Sequence, residues 1–360
     1  MHLIRREGSI PFDVYMEAAL YGEGGFFASG QGARQDFVTS PEVGSLFGVC
    51  VARALDRYWH ALDEPDPFLV VEAGAGSGSL ARDVLHANPE CARALRYVLV
   101  ERSPVLRDAQ RALLPLDPPD EALGPFVRRH SDDAPVPEQQ SGPVVASIAE
   151  LPALEAREAV VFANELLDNL PFGIAQWDGS RWSEVRIALE GDAPVEVLVP
   201  LPEPLPYEVA PGARVPIARG VRDWFLECER ALHSGFVVLV DYMTDAPELR
   251  LRTYRGHERA ADPLQAPGSF DITADVPVDQ LLSAAHAFSL VSDTAQAEWL
   301  RSLGIDELAD AGAQAWRDGA ARGDLEALKG RSHVHEAEIL TDPSGFGAHR
   351  VLVLERKSPG

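Results

Sequence analysis

The run Phe68-Leu69-Val70-Val71-Glu72-Ala73, followed at once by Gly74-Ala75-Gly76-Ser77-Gly78, constrains the fold of this chain more than any other stretch. A short apolar run broken only by Glu72 and closed by glycines reads as a strand buried on both faces. The glycines permit a tight turn and a close approach of the backbone to a ligand. A helix over residues 79–87 and a second strand, Tyr97-Val98-Leu99-Val100-Glu101, follow. A helix over residues 104–114 starts at Pro104, a favoured first-turn residue. Phe126 and Val127 are expected to begin a third strand, and Ala159-Val160-Val161-Phe162-Ala163 forms a fourth, ending at Asn164-Glu165. Strand alternating with helix in this way is the mark of a doubly wound parallel sheet.

Two cofactors compete for such a glycine turn. A nicotinamide dinucleotide loop reads G-x-G-x-x-G, which would put its third glycine at position 79. Here position 79 is Ser and the third glycine is Gly78. The order acidic-x-G-x-G-x-G, beginning at Glu72, instead resembles the first motif of S-adenosylmethionine methyltransferases. That cofactor carries no pyrophosphate, so an acid at position 72 repels nothing. Glu101 ends the next strand, where a carboxylate accepts both hydroxyls of a ribose. The plain alternative is a glycine-rich turn that binds nothing; Glu101, in the right place of a βαβ unit, favours the ligand site.

The rest of the composition excludes more than it assigns. The 360 residues suit one large α/β domain with insertions, or a core plus an accessory lobe. The formal net charge is −24 with no basic run to offset it, which argues against nucleic acid as a partner. Cys50, Cys91 and Cys228 are odd in number and widely spaced, arguing against disulfides and zinc and for a reducing, cytoplasmic setting. Residues 1–8 show no signal-peptide core, and no run approaches the roughly 18 apolar residues of a membrane helix, so no membrane partner is expected.

Along the remainder, residues 10–20 read as a short helix. Ser40 reads as an N-cap with Pro41 at the first position of a helix over residues 41–60. Residues 174–177 and 182–187 flank Asp178-Gly179 as a hairpin. A Pro-rich stretch (194–216), a helix (221–232) and a buried strand (236–241) follow. Residues 250–275 read as a long polar loop and residues 278–287 as a helix. Residues 288–292 and 349–355 look like closing antiparallel strands.

Ordered blocks identify a family resemblance over most of the chain. Residues 12–21 with Gly24-Gly25-Phe26-Phe27 form the first block, and residues 36–43 with Phe47-Gly48 the second. The glycine loop is third. Then come residues 100–107 with Gln110, and residues 163–171, which include Asn164, Glu165, Asp168 and Pro171. Asp241-Tyr242, Tyr254-Arg255-Gly256-His257, Pro267-Gly268 and Asp271-Ile272-Thr273-Ala274 close the series. Together they resemble the MidA-type methyltransferases, a family that includes a mitochondrial complex I assembly-factor arginine methyltransferase. The departures are late: Met243 follows Asp-Tyr where a glycine is usual, and Asp275-Val276-Pro277 replaces a His-Val-Asp stretch.

The resemblance implies a Rossmann-like methyltransferase core, a mostly parallel doubly wound sheet with an antiparallel closing strand, plus an accessory lobe. The core is expected over residues 63–170 and 235–357, with a substrate-side loop at 244–277. Residues 1–62 are expected to cover the cofactor site, and residues 171–234 to form the lobe. S-adenosyl-L-methionine would be held by Glu72, Gly74, Gly76, Gly78, Glu101 and Asn164, with Thr39 and Ser40 beside the pocket; no metal is expected.

The resemblance implies that family members methylate a protein arginine. A guanidinium stays protonated at neutral pH and matches carboxylates in a bidentate fork. If a helix starts at Asn164-Glu165, Glu165 and Asp168 share one face and would orient the guanidinium, and His257 would position the substrate or take a proton. The plain alternatives are a solvated Glu165, a capping Asp168 and a surface His257. His333, His335 and Glu336 are too few for a metal site. The implied function is methylation of a protein partner. A small-molecule O- or N-methyltransferase and a non-catalytic assembly factor stand as alternatives.

Overall fold

The computed structural model describes residues 2–28, 39–124, 141–151, 158–255, 258–259, 262–321 and 324–357. The chain divides into two compact units. One comprises residues 1–37, 165–229 and 241–289, the other residues 38–164, 230–240 and 290–360. These boundaries differ from those drawn on the sequence at residues 62, 170 and 234.

The second unit is built on a seven-stranded sheet. Its strands are β1 (Phe68–Ala73), β2 (Leu95–Val100), β3 (Val144–Ile148), β4 (Glu158–Asn164), β5 (Ser234–Asp241), β6 (Ser289–Ala295) and β7 (Arg350–Arg356). They lie in the order β3-β2-β1-β4-β5-β7-β6. The pairs β1–β2, β1–β4, β2–β3 and β4–β5 are parallel. Every residue of β1, β2 and β5 is buried, as the unbroken apolar runs require. Strand order reverses between β1 and β4, and ligands of such sheets bind outside the carboxyl ends at that point. The expected strand at Phe126 and Val127 lies outside the described residues. The third strand is β3, a Val144-Val145-Ala146-Ser147-Ile148 run too short to stand out on its own.

The helix expected over residues 41–60 is two pieces, Ser40–Val43 and Ser45–Ala61, parted at Gly44. Glu336 explains the break. Its Oε2 accepts the Leu46 N–H at 3.0 Å, capping the longer helix, while Ser332 Oγ donates to Oε1 at 2.8 Å. A Cβ on Gly44 would sit 2.1 Å from the Glu336 carboxyl carbon, so any larger residue there would displace this cap. Thr39, rather than Ser40, is the N-cap, and Glu42 closes the box by accepting the Thr39 N–H at 3.2 Å. Helices Gln296–Ser302, Ile305–Gly319 and Leu325–Leu340 complete this unit.

The first unit carries a five-stranded sheet. Pro11 ends the strand Ser9–Pro11 and starts the helix Phe12–Tyr21, so the helix begins after residue 10. The hairpin Gly173–Trp177 and Trp182–Glu190 is formed as read. The Pro-rich stretch contributes two further strands, Ala193–Pro200 against one side of the hairpin and Arg214–Ile217 against the other. Prolines tolerate such edge positions because no ladder donor is needed there. Arg219 joins the layers, bonding Asp13 at 3.0 Å and Glu184 at 2.6 Å. Phe12, Met16, Leu20, Ile174, Val185 and Ile187 form its core.

The span 250–275 is not simply a loop. Leu251–Arg255 and Asp271–Ala274 pair antiparallel, with Thr253 opposite Ile272. Polar side chains on a buried strand hid the alternation.

Candidate active site

The chain meets its first chemical task at the carboxyl end of β1. Gly74, Gly76 and Gly78 have φ of 70°, 53° and 85°, so each holds the left-handed backbone that disfavours any side chain. This spacing of glycines is therefore a backbone requirement. A Cβ on Gly76 would meet nothing within 4 Å, leaving conformation as its only constraint, whereas one on Gly78 would lie 3.2 Å from Leu114 Cδ1. The loop is pinned from both directions. The Gly76 N–H donates to Glu101 Oε2 at 3.0 Å, and Gln110 Nε2 donates to the Gly76 carbonyl at 2.7 Å. Ser147 Oγ in turn fixes Gln110.

Glu101 also accepts the Ser103 N–H on Oε1 at 2.8 Å. Burial raises its pKa and these two N–H donors pull it back. A carboxylate has about four lone-pair sites, so a ribose diol can still be accommodated. Glu72 lies inside the sheet. Its Oε2 accepts the Tyr97 hydroxyl at 2.8 Å, and burial lifts its pKa to about 8 despite that bond. Asn164 ends β4, in register with Val240. Ser40 is fully buried and donates to Gln296 Oε1 at 3.2 Å.

The second feature begins one peptide bond beyond Asn164. Glu165 has φ of 50°, a conformation costing a non-glycine residue about 1–2 kcal/mol. A single 3-10 turn, Leu167–Asn169, follows in place of the expected helix. Asp168 is buried, and Thr273 Oγ1 donates to its Oδ2 at 2.5 Å, so it is not a capping residue. Asn169 Nδ2 donates to Asp271 Oδ1 at 2.8 Å. Asp241 is wholly buried. Its Oδ2 accepts the N–H groups of Leu166 (3.1 Å) and Leu167 (2.7 Å), and its Oδ1 that of Tyr242 (2.8 Å).

Burial, and then the Asp168 charge, push the Asp241 pKa well above the usual carboxylate range. Burial likewise raises Asp168, against the pull of Thr273 and Arg252. Arg252 is paired with Asp275 and lies over the Tyr242 ring, 5.2 Å from its centroid. Sequence reasoning quoted Asp241, Tyr242 and Thr273 as blocks without a role, and it missed Arg252. Only their spacing in separate blocks could have hinted that they meet. His257 lies outside the described residues.

Cys50, Cys91 and Cys228 are free and buried. Among the described residues no His/Cys/Asp/Glu group is arranged to hold a metal, and no helix is long and apolar enough to cross a membrane. Glu336, named beside His333 and His335 in the sequence, is the helix cap described above.

Residues 50–295 match the profile of the S-adenosyl-L-methionine-dependent methyltransferases. The chain belongs to that family. The methyltransferase is 30% identical over 304 residues to the mitochondrial protein arginine methyltransferase NDUFAF7 homolog of Drosophila melanogaster. The match takes in 75% of this chain and spans 65% of the relative, just under two thirds of its length. The rat protein arginine methyltransferase NDUFAF7 is 27% identical over 335 residues, 85% of this chain and 73% of the relative.

The fold of the methyltransferase is shared with a solved structure from Burkholderia thailandensis bound to S-adenosylhomocysteine. The TM-score is 0.77 at 23% identity, covering 100% of this chain and 91% of that one. A second structure of a protein from that organism gives a TM-score of 0.77 at 24% identity, covering 100% of this chain and 90% of that one.

Proposed function

We propose that the protein transfers a methyl group from S-adenosylmethionine to an arginine guanidinium of a protein partner. The observation that carries this reading is the turn at residues 165–169, which holds Glu165 in left-handed backbone beside the buried Asp168 and Asp241. A carboxylate in this position suits a guanidinium, which it meets through bidentate charge-assisted hydrogen bonds. The names of the Drosophila and rat relatives point the same way.

In this reading the seven-stranded unit carries the methyl donor. Gly74, Gly76 and Gly78 bring backbone close to the donor, Glu101 accepts its ribose hydroxyls, and Asn164 and Thr39 border it. Glu72 acts from beneath the loop, through its bond to Tyr97. S-adenosylmethionine supplies an electrophilic methyl on a sulfonium, so the chain needs no covalent nucleophile. Glu165 holds the guanidinium and favours loss of the proton from the nitrogen that is methylated. Asp168 keeps the surroundings acidic. His257 is assigned the role of orienting the acceptor chain or taking a proton.

The test is methylation of a synthetic Arg-Gly-rich peptide with isotope-labelled S-adenosylmethionine. Label should appear on arginine, and Glu165→Gln should lower turnover by about 100-fold or more, the usual range for a proton-handling residue, without weakening cofactor binding. Label found only on small amines or hydroxyls would defeat the arginine reading.

A further inference from the structure

Glutamate is not among the residue types that favour left-handed backbone. Asparagine and aspartate stabilise this conformation through their short side chains, and glycine carries no penalty, but Glu165 has neither advantage. Among the hydrogen bonds described for the start of the turn, two go to Asp241. One carboxylate oxygen takes the N–H groups of the next two residues, Leu166 at 3.1 Å and Leu167 at 2.7 Å. The other takes the Tyr242 N–H at 2.8 Å, which locks the carboxylate's own rotamer. The far end of the turn is fastened separately. Asp168 is held by Thr273, and Asn169 by Asp271 and the Ile272 carbonyl.

The sequence separation of these groups matters. Asp241 is the last residue of β5, and Asn164, next to Glu165, is the last of β4; the two strands are parallel neighbours with Val240 opposite Asn164. The sheet therefore delivers the Asp241 carboxylate to a fixed place relative to the start of the turn. A wholly buried carboxylate is tolerated only where donors replace its water, and three backbone N–H groups do so here. A residue needed only for packing would be better apolar.

We infer that Asp241 is a positioning residue, tethering the backbone after Glu165 so that the Glu165 carboxylate is presented in one orientation to the acceptor. Asp241 itself does not touch the reacting atoms. The inference rests on the reading of Glu165 given above, and its test separates the two.

The full chain is compared with Asp241→Ala, Asp241→Asn, Glu165→Gln and the Asp241→Ala/Glu165→Gln double variant. Amide hydrogen exchange is the first readout. In Asp241→Ala the Leu166 and Leu167 amides should exchange at least tenfold faster while β1 and β2 keep their protection. Asp241→Asn keeps a carbonyl oxygen for both N–H groups and should restore much of the protection, which also guards against a variant that merely misfolds. Unchanged exchange at Leu166 and Leu167 in Asp241→Ala overturns the proposal.

Methylation of the Arg-Gly-rich peptide is the second readout. Asp241→Ala should lower kcat at least tenfold with the KM for S-adenosylmethionine unchanged, Asp241→Asn should lose less, and the double variant should be no slower than Glu165→Gln alone. Losses that multiply in the double variant mean that Asp241 does not act through Glu165. Full activity of Glu165→Gln, or an unmethylated peptide with the wild-type chain, sinks the catalytic reading instead, and the exchange data still decide the tether.

Discussion

The loop at residues 74–78 and the turn at residues 165–169 both hold polar groups against the chain's own preferences, but with opposite materials. The loop owes its shape to three left-handed glycines within five residues, and the groups that pin it, Glu101 and Gln110, come from just after the next strand and from the helix that follows. The turn contains no glycine. Its left-handed residue is Glu165, and its restraints come from Asp241, Asp271 and Thr273, far along the chain. A locally encoded shape fails locally when altered. A shape built by tertiary contacts should fail through any of several distant residues and leave the local one intact. The two regions should therefore separate cleanly under mutation.

The largest effect should come from Gly76→Val. A β-branched residue at φ of 53° is strained, and it puts bulk where the backbone must approach the donor. Calorimetry should show affinity for S-adenosylmethionine falling by about 100-fold or more, equivalent to about 3 kcal/mol. Exchange protection at Leu166 and Leu167 should be unaltered. Binding at near wild-type strength would mean that the loop is a turn without a ligand.

Glu101→Gln comes next. The amide keeps one acceptor oxygen but loses the charge, and it sets an N–H₂ against either the Gly76 or the Ser103 N–H. Charge-assisted hydrogen bonds contribute about 1.5–3 kcal/mol, so affinity should fall by about 10- to 100-fold. If the loss appears equally for S-adenosylmethionine and S-adenosylhomocysteine, the ribose is the part recognised, since both share it. A loss confined to one of them would move Glu101 away from the ribose.

The same contrast governs what the sequence reveals. The strands β1, β2, β4 and β5, and the glycines between β1 and its helix, are local patterns of burial and backbone freedom. The turn is hardly legible. Glu165 and Asp168 stand out only as acids after a strand, and helical spacing put them on one face, yet a 3-10 turn sends Asp168 inward to Thr273. Nothing in Asp241-Tyr242 announces that its carboxylate collects two N–H groups from residues 166 and 167. Gly44 misled for the same reason. It interrupts an otherwise helical pattern because of Glu336, on a helix at the other end of the chain. Local propensity cannot register a distant carboxylate.

A smaller effect tests the interior of the loop's own strand. In the folded chain burial lifts the Glu72 pKa from an ordinary 4.5 to about 8, so the native state binds this proton more tightly than the unfolded chain. Stability from Glu72 is then fully present below 4.5 and is lost as the pH rises through 8. Asp168 and Asp241 slope in the same direction, so the comparison between variants isolates Glu72. Glu72→Gln cannot ionise. Its Tm relative to wild type should improve between pH 5 and pH 8, measured by thermal melts. A constant gap would mean that Glu72 keeps an ordinary pKa and that the Tyr97 bond outweighs its burial.

The smallest effect, Thr273→Val, tests the idea that the turn is held from a distance. Valine keeps the volume and removes the hydroxyl that donates to Asp168 Oδ2. That bond favours the charged form, so its loss should push the already raised Asp168 pKa higher. The penalty then depends on charge. It should be about 1 kcal/mol where Asp168 is ionised and should shrink as acid protonates the group, because a protonated carboxyl needs the donor less. Chemical denaturation should therefore show the variant losing more stability on the alkaline side of the raised Asp168 pKa than on the acid side. Affinity for S-adenosylmethionine should match wild type, while peptide methylation should slow if Asp168 belongs with Glu165. A penalty independent of pH would make Thr273 a packing residue. Weakened cofactor binding would break the separation of loop and turn, because a change confined to the tertiary turn would then have reached the locally built site.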